Sequence, residues 1–168
     1  MTRDKVVGRG FWNLEIIRHG AIIKRVRHRN AMTDGGIHHM LDATFNEASQ
    51  NANWYAGLIN NSGFTAVNPT TDTMASHSGW TELVSYNEAT RPEWEADAAA
   101  SKSITNTTLM VFNMNATATV KGAFIASAND KSGTTGILLS VFTLPSNLSV
   151  QNGDIVRATY TLEVENAT

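Results

Sequence analysis

The sequence predicts a mainly β protein: an antiparallel β-sandwich with one short helix and an N-terminal β-hairpin arm. Three observations favour this fold class. Apolar and polar residues alternate over long runs, Gly- and Asn-containing turn signals separate these runs, and strands do not alternate with helices. Short strands joined by such turns are typical of sandwiches, and a jelly roll is one arrangement that the pattern allows. A length of 168 residues suits one domain.

The first thirty residues are basic and the rest of the chain is acidic. Residues 1–30 hold eight Lys and Arg residues against Asp4 and Glu15, a net charge of +6, and because the whole chain carries −2, the remainder carries −8. His19-Gly20 separates two strand-like segments and predicts a hairpin turn. We therefore divide the chain into a basic N-terminal arm, residues 1–30, and a β-sandwich domain, residues 31–168.

The second strand of this arm is almost entirely positive. Its cations cannot be buried without partners, because desolvating an unpaired charge costs several kcal/mol. A solvated edge strand that resists aggregation and a docking surface for an acidic partner both fit the pattern. We do not expect direct contact with nucleic acid, since the chain is slightly acidic and lacks a Gly-rich phosphate loop. The candidate binding residues here are Lys24, Arg25, Arg27 and Arg29.

One helix is predicted after this strand, with a cap at Thr33 or Asp34. Apolar residues then recur at helical spacing and are expected to pack against the sheet; they are Ile37, Met40, Leu41 and Phe45.

A long irregular segment, residues 61–101, follows an apolar strand at residues 54–59. Connections of this length in a compact domain are usually functional or lie at interfaces. Trp80, Tyr86 and Trp94 lie in this segment and are residue types that anchor contacts between proteins. Two roles remain open for them: exposed contacts with a partner, or a cap over the core of the sandwich.

The last third of the chain has the clearest strand pattern. Apolar residues occupy alternate positions over residues 110–126, and a run of this length must turn, which we place near residues 115–119. Two strands with one apolar face are expected from it. Further strands are predicted at residues 137–142 and 156–164, the last one entered through Asn152-Gly153-Asp154.

Motifs that would indicate catalysis are missing. The chain has no cysteine, no nucleophile elbow, no P-loop and no dinucleotide fingerprint. Glu93 and Glu95 do not by themselves make a catalytic dyad, and His38 and Asp42 have the spacing of two metal ligands without a third. We therefore predict a non-enzymatic protein that holds no metal or cofactor. No membrane-length apolar run or secretory leader is present, so we expect a soluble protein made in a cytoplasm.

Four segments resemble small structural proteins of tailed bacteriophages. They are RNAMTDGG at residues 29–36, WYAGLI at 54–59, GWTEL at 79–83 and YNEATRP at 86–92. The resemblance implies a virion component. Within that class it is most similar to head decoration, or cement, proteins, which are compact β-rich domains that bind between major capsid subunits as dimers or trimers.

The resemblance therefore implies that the partners are the major capsid protein and other copies of this chain. It also implies a location on the capsid surface after synthesis in the cytoplasm of a bacterial host. A tail, collar or head–tail junction protein is an alternative within the particle. A carbohydrate-binding module is the alternative outside this class, since sandwiches often present aromatic side chains to sugars.

Overall fold

The computed structural model describes residues 6–166, which form nine strands and one helix. The elements are, in chain order, β1 (Val6–Arg18), β2 (Ala21–Met32), α1 (Asp34–Phe45), β3 (Tyr55–Asn60), β4 (Glu82–Leu83), β5 (Ser103–Thr105), β6 (Met110–Asn113), β7 (Ala118–Ala126), β8 (Leu138–Val150) and β9 (Ile155–Asn166). All the paired strands named here are antiparallel. The predicted mainly β sandwich with one helix and an N-terminal hairpin is confirmed. Residues 1–5 of the predicted arm lie outside the described residues.

The strands follow the order β4-β3-β7-β8-β2-β1-β9-β5, and β6 also pairs with β9. The ladder changes partner along β2: its residues as far as Asn30 pair with β1, whereas Ala31 and Met32 pair with β8. Strand β2 therefore joins two layers. One contains β1, β9, β5 and β6, and the other contains β3, β4, β7 and β8.

The larger hydrophobic core contains side chains from both layers, and β1 contributes directly to it. Trp12, Leu14 and Ile16 alternate along β1 and are buried, as the period of two in a strand requires. The Trp12 ring centroid lies 5.1 Å from that of Tyr160 on β9 and 5.6 Å from that of Phe142 on β8. The hairpin is thus packed into the sandwich along β1. The division of the chain at residue 30 stays a prediction about domain organisation.

A second, smaller core lies on the other face of β3, β7 and β8. Met74 and Trp80, from the irregular segment after β3, cover this face, and Trp80 packs 5.1 Å from Phe124 of β7. Residues 123–126 of β7 are therefore buried on both faces. The expectation of a single apolar face for this strand is wrong, because the irregular segment covers the face that would otherwise meet water.

Helix α1 begins where the sequence predicts. The Thr33 hydroxyl accepts a hydrogen bond from the Gly36 amide at 3.0 Å, a cap that contributes about 1 kcal/mol. The helix contacts the sheet closely at Gly36, where an added Cβ would collide with the Leu139 backbone. The expectation that the whole apolar stripe packs on the sheet is wrong, because the helix approaches through its first turn. Three residues of the stripe are exposed: Ile37, Leu41 and Phe45.

Candidate partner-binding surface

The candidate surface lies on the β1–β2 hairpin, and the turn of this hairpin fixes the first cross-strand pair. His19 and Gly20 both have positive φ, 51° and 79°, which is the backbone of a type I′ turn and matches the twist of the flanking strands. Arg18 and Ala21 form the closing pair of the ladder. The hairpin predicted at this position is therefore present, and only His19 and Gly20 separate its two strands.

A bulge two residues later decides which way the basic side chains point. Ile17 pairs with Ile22, but the next residue, Ile16, pairs with Lys24, so Ile23 is an extra residue in β2. Beyond this bulge the cross-strand pairs are Glu15 with Arg25, Asn13 with Arg27 and Phe11 with Arg29.

Directly opposed residues of two strands lie on the same face of the sheet. Trp12, Leu14 and Ile16 point into the core, so the residues that alternate with them point outward, and their partners on β2 do the same. Arg25, Arg27 and Arg29 are therefore displayed in one row on the outside of the hairpin, and all three are exposed.

One of these arginines has a carboxylate partner. Arg25 Nε donates to Glu15 Oε1 at 2.7 Å across the strands. The Arg25 side chain is largely exposed, and ion pairs in such positions contribute about 0–1 kcal/mol because water screens them. The pair orients Arg25 more than it stabilises the fold.

Arg27 and Arg29 are held by an aromatic ring instead. Their guanidinium carbons lie 5.1 Å and 5.4 Å from the centroid of the Phe11 ring, within the range of cation–π attraction. Among the described residues, no carboxylate oxygen lies within 4.0 Å of either guanidinium. Their hydrogen-bond donors are thus available to a partner. We refer to Phe11, Arg25, Arg27 and Arg29 as the arginine surface.

A shallow concavity of about 400 Å³ adjoins this surface. Its rim carries the side chains of Arg25 and Arg27 from β2 and of Asn13 and Glu15 from β1. Donors and acceptors therefore meet at one edge of the concavity. Such an arrangement can receive a carboxylate from a partner beside the Arg25–Glu15 pair.

Lys24 does not belong to the arginine surface. It pairs with Ile16 and so lies on the opposite face of β2 from the three arginines. It lines a separate cavity of 310 Å³ between β2 and the end of β8, together with Ile23, Asn147 and Ser149. The four basic candidates are thus divided by the strand between two faces.

The three aromatic candidates are buried. Trp80, Tyr86 and Trp94 are 2%, 1% and 5% exposed, so the expectation of exposed aromatic contacts in residues 61–101 is wrong for them. Each ring is fixed by specific contacts. Trp80 Nε1 donates to Asp72 Oδ2 at 2.9 Å, and Trp94 Nε1 donates to the Tyr160 carbonyl oxygen at 3.0 Å. These residues cap the core, which is the other role that the sequence left open.

A buried ion pair holds the irregular segment against the loop before β8, and no local sequence pattern predicts it. Arg91 and Glu82 side chains are 1% and 4% exposed and make two hydrogen bonds, from Nε at 3.0 Å and from Nη2 at 2.8 Å. Arg91 also donates to the Ala128 carbonyl at 2.8 Å, and the Ser132 amide donates to Glu82 at 2.6 Å. All these partners are protein groups, so the pair is structural.

The phenol of Tyr86 lies beside this pair. Burial, together with the nearby charge of Glu82, raises the pKa of Tyr86 far above its usual value. Tyr86 therefore stays neutral, and the Lys131 ammonium lies 3.8 Å from its ring centroid. These contacts account for the side chain without a ligand.

The residues considered for metal binding or catalysis do not form a site among the described residues. Within residues 6–166, no three His, Asp or Glu side chains are grouped so that they could hold a metal ion, and His38 and Asp42 lie exposed on α1. Glu93 and Glu95 are exposed in the irregular segment, where Glu95 accepts a hydrogen bond from the Thr108 hydroxyl at 3.0 Å.

In the part of the chain that the structure describes, no helix is long and apolar enough to cross a membrane.

No protein-family model and no curated protein matches this chain.

Sequence reasoning missed Phe11 and Glu15 as members of the candidate site. Both lie in β1, which was predicted as a strand of the hairpin, but the residues that face them on β2 depend on the bulge at Ile23. A bulge has no reliable signature in a run of apolar and basic residues. The partners of the arginines could therefore not be assigned from the sequence.

Proposed function

We propose that this chain is a non-enzymatic structural component of a tailed-bacteriophage particle, a capsid decoration protein that binds the major capsid protein through the arginine surface. The observation that supports this function best is the row of Arg25, Arg27 and Arg29 on the outside of the hairpin. Arginine presents a planar fork of donors that binds carboxylates in a bidentate manner. The partner is therefore an acidic protein surface, and the resemblance of four sequence segments to virion proteins supports a capsid as that surface.

The charge distribution supports attachment through one side of the molecule. The excess positive charge of the first thirty residues is concentrated in the hairpin, whereas the rest of the chain is acidic. An acidic partner attracts the hairpin and repels the remainder, so the charge fixes the orientation of docking as well as adding attraction.

Stabilisation of the shell follows from mass action. A protein that binds the assembled capsid but not its dissociated subunits stabilises the assembly by RT ln(1 + [L]/Kd) at each site. Many sites on one shell add together. A decoration protein therefore needs only moderate affinity at each position.

Buried aromatic residues weaken the carbohydrate-binding alternative. That alternative depended on aromatic side chains presented to sugars, and Trp80, Tyr86 and Trp94 are inside the fold. A tail, collar or head–tail junction protein would use the same arginine surface. It differs from a decoration protein in the number of copies per particle.

Copy number tests the proposal. Quantitative mass spectrometry of purified particles of the phage that encodes this chain gives its ratio to the major capsid protein. A decoration protein is present near parity or at a fixed large fraction of it. About a dozen copies or fewer would assign the chain to the tail or portal region, and its absence from the particle would overturn the virion function.

A further inference from the structure

The backbone of β2 presents hydrogen-bonding groups toward its outer edge. The Thr33 amide donates to the Leu139 carbonyl at 3.0 Å and Ala31 pairs with Val141, so these odd-numbered residues direct their N–H and C=O groups toward the β8 side. Backbone groups alternate in direction along a strand. Arg29, Arg27 and Arg25 therefore direct their backbone groups the same way, away from β1.

No strand of the described chain occupies this edge beside the arginines. The pairing of β2 with β8 covers Ala31 and Met32 alone, and none of the backbone hydrogen bonds outside the ladders of residues 6–166 involves residues 21–30. The two strands instead diverge, and the 310 Å³ cavity between Ile23 and Ser149 lies in the gap. One contact partly caps the edge, from the His28 ring to the Arg29 carbonyl at 2.6 Å between Nδ1 and O.

The three arginines thus have both their side chains and their backbone N–H and C=O groups available to a partner at the same edge of β2. Side chains at alternate positions of a strand are about 6.7 Å apart, which is also the spacing of alternate side chains on any strand laid beside it. An added strand with carboxylates at alternate positions would place them against Arg27 and Arg29 while its backbone pairs with β2.

We propose that the open edge of β2 receives an extended segment of the partner protein as an additional strand, with acidic side chains at alternate positions beside Arg27 and Arg29. This inference rests on the proposed function, because it describes how the arginine surface binds its acidic partner. It adds backbone pairing to the attraction between charges.

A second copy of this chain does not suit the edge. Pairing of β2 with β2 would bring arginines of the two copies together, and like charges on facing strands are destabilising. Simple protection of the edge from aggregation also fits less well, because lysine is the usual residue for that purpose. Here Arg27 and Arg29 are oriented by Phe11, and oriented donors suit a specific carboxylate partner.

Amide hydrogen exchange of the full chain, read residue by residue by NMR, tests this pairing. The probe is a short, end-blocked peptide in which glutamate alternates with valine. The control peptide has the same composition with its glutamates grouped together. At ten times the dissociation constant of the alternating peptide, we expect the amides of Arg25, Arg27 and Arg29 to exchange about tenfold more slowly. The amides of Val26 and His28, which face β1, should change little.

Two variants separate backbone pairing from charge. Arg27→Ala removes the side chain, and Arg27→Pro also removes the amide that faces the open edge. Because that amide makes no bond to β1, proline leaves the hairpin ladder intact. We expect Arg27→Pro to bind the alternating peptide about fivefold more weakly than Arg27→Ala, the effect of one hydrogen bond. If Arg27→Pro does not fold, the exchange measurement on the natural chain decides by itself.

The outcomes distinguish this inference from the proposed function. Binding of both peptides without slower exchange at the three amides would overturn strand addition and leave docking through the arginine side chains intact. Slower exchange that depends on protein concentration without peptide would assign the edge to a second copy and overturn the proposal. Failure of the proposed function is measured separately, by the absence of the chain from the particle.

Discussion

Arg25 lies opposite Glu15 across the hairpin, and its Nε donates to Glu15 Oε1 at 2.7 Å. If regular pairing continued from Arg18 and Ala21 with no bulge, Arg25 would lie opposite Leu14, which is buried in the core. The extra residue Ile23 shifts every later pair by one. A shift of one residue moves side chains to the other face of a strand, so this bulge places the three arginines outside and Val26 and His28 inside.

Deletion of Ile23 should therefore leave the register of the arginines unchanged. Without the extra residue, continuous pairing from the turn still places Arg25 opposite Glu15, on the outer face of the hairpin. Because Ile23 is exposed, we expect the deletion to lower the free energy of unfolding by no more than about 1 kcal/mol in urea denaturation.

The matched control is Ile23→Ala, which keeps the chain length. Ile23 is exposed, so this variant should lose no more than about 1 kcal/mol. A loss of more than about 3 kcal/mol in the deletion variant alone would mean that the deletion turns the arginines toward the core, and would contradict the assignment of Ile23 as the extra residue.

The bulge also marks what the sequence could predict and what it could not. The strands of the last third of the chain, the His19-Gly20 turn and the start of the helix at Thr33 or Asp34 are local signals, and each was predicted correctly because a few adjacent residues decide it. The partners of Arg27 and Arg29 depend on one inserted residue in a run that reads as strand on both sides. Local pattern cannot distinguish the two registers, although tertiary burial of Trp12 and Leu14 does.

Burial of the aromatic residues could not be decided locally either. Trp80 lies in an irregular segment, and its neighbours in the sequence do not reveal that the segment folds over β7. The exposure of the apolar stripe of α1 also depends on a contact between distant parts of the chain, but here residues that were expected to be buried are exposed. Leu41 and Phe45 have helical spacing that predicts burial, but the close contact of Gly36 with Leu139 fixes the helix so that this stripe points away from the sheet.

The buried pair of Glu82 and Arg91 should be required for stability. Arg91→Met leaves the Glu82 carboxylate buried without its cation, and breaking a buried pair in this way costs about 3–5 kcal/mol. Urea denaturation measures this loss.

Two variants serve as comparisons for that pair. Glu82→Gln with Arg91→Met removes both charges and should recover part of the loss. Arg25→Ala breaks an exposed pair and should cost no more than about 1 kcal/mol. A loss in Arg91→Met as small as that in Arg25→Ala would contradict a structural role for the buried pair.

Acid should weaken the junction between β1 and the β8–β9 turn. Arg18 Nε and Nη2 each donate to the Asp154 carboxylate at 2.8 Å, and these bonds hold the pKa of Asp154 below its usual value. A carboxylate with a lowered pKa in the folded state stabilises the fold above its unfolded pKa, about 4, and loses that contribution as the pH falls through the folded pKa.

The variant Asp154→Asn tests this pH dependence. It should unfold at lower urea concentration than the natural chain at pH 7, and the difference should shrink progressively as the pH is lowered below about 4. Glu93→Gln, at an exposed position of the irregular segment, is the comparison for an exposed carboxylate. A constant difference between Asp154→Asn and the natural chain across this pH range would refute the assignment.

The exposed stripe of α1 should contribute little to folding. Phe45 is 81% exposed, and Leu41 is also exposed, so replacing both with Phe45→Ser and Leu41→Gln removes few contacts. The free energy of unfolding should change by no more than about 0.5 kcal/mol. Met40→Ala, at a partly buried position packed against the core, should cost about 1 kcal/mol or more. A larger loss in the double variant than in Met40→Ala would mean that the stripe is packed in solution.

Attachment to particles that lack this protein tests the arginine surface most directly. The measurement is the affinity of the purified chain for such particles by co-sedimentation, at low and physiological salt. We expect Arg27→Ala with Arg29→Ala to bind at least about tenfold more weakly, because contact arginines commonly contribute 1–2 kcal/mol each. Attachment of the natural chain should also weaken as salt screens the charges. Lys102→Ala with Lys121→Ala removes two cations elsewhere, one of them lying over the Phe64 ring, and should bind like the natural chain. Equal attachment of the arginine variant and the natural chain at both salt concentrations would contradict docking through the arginine surface.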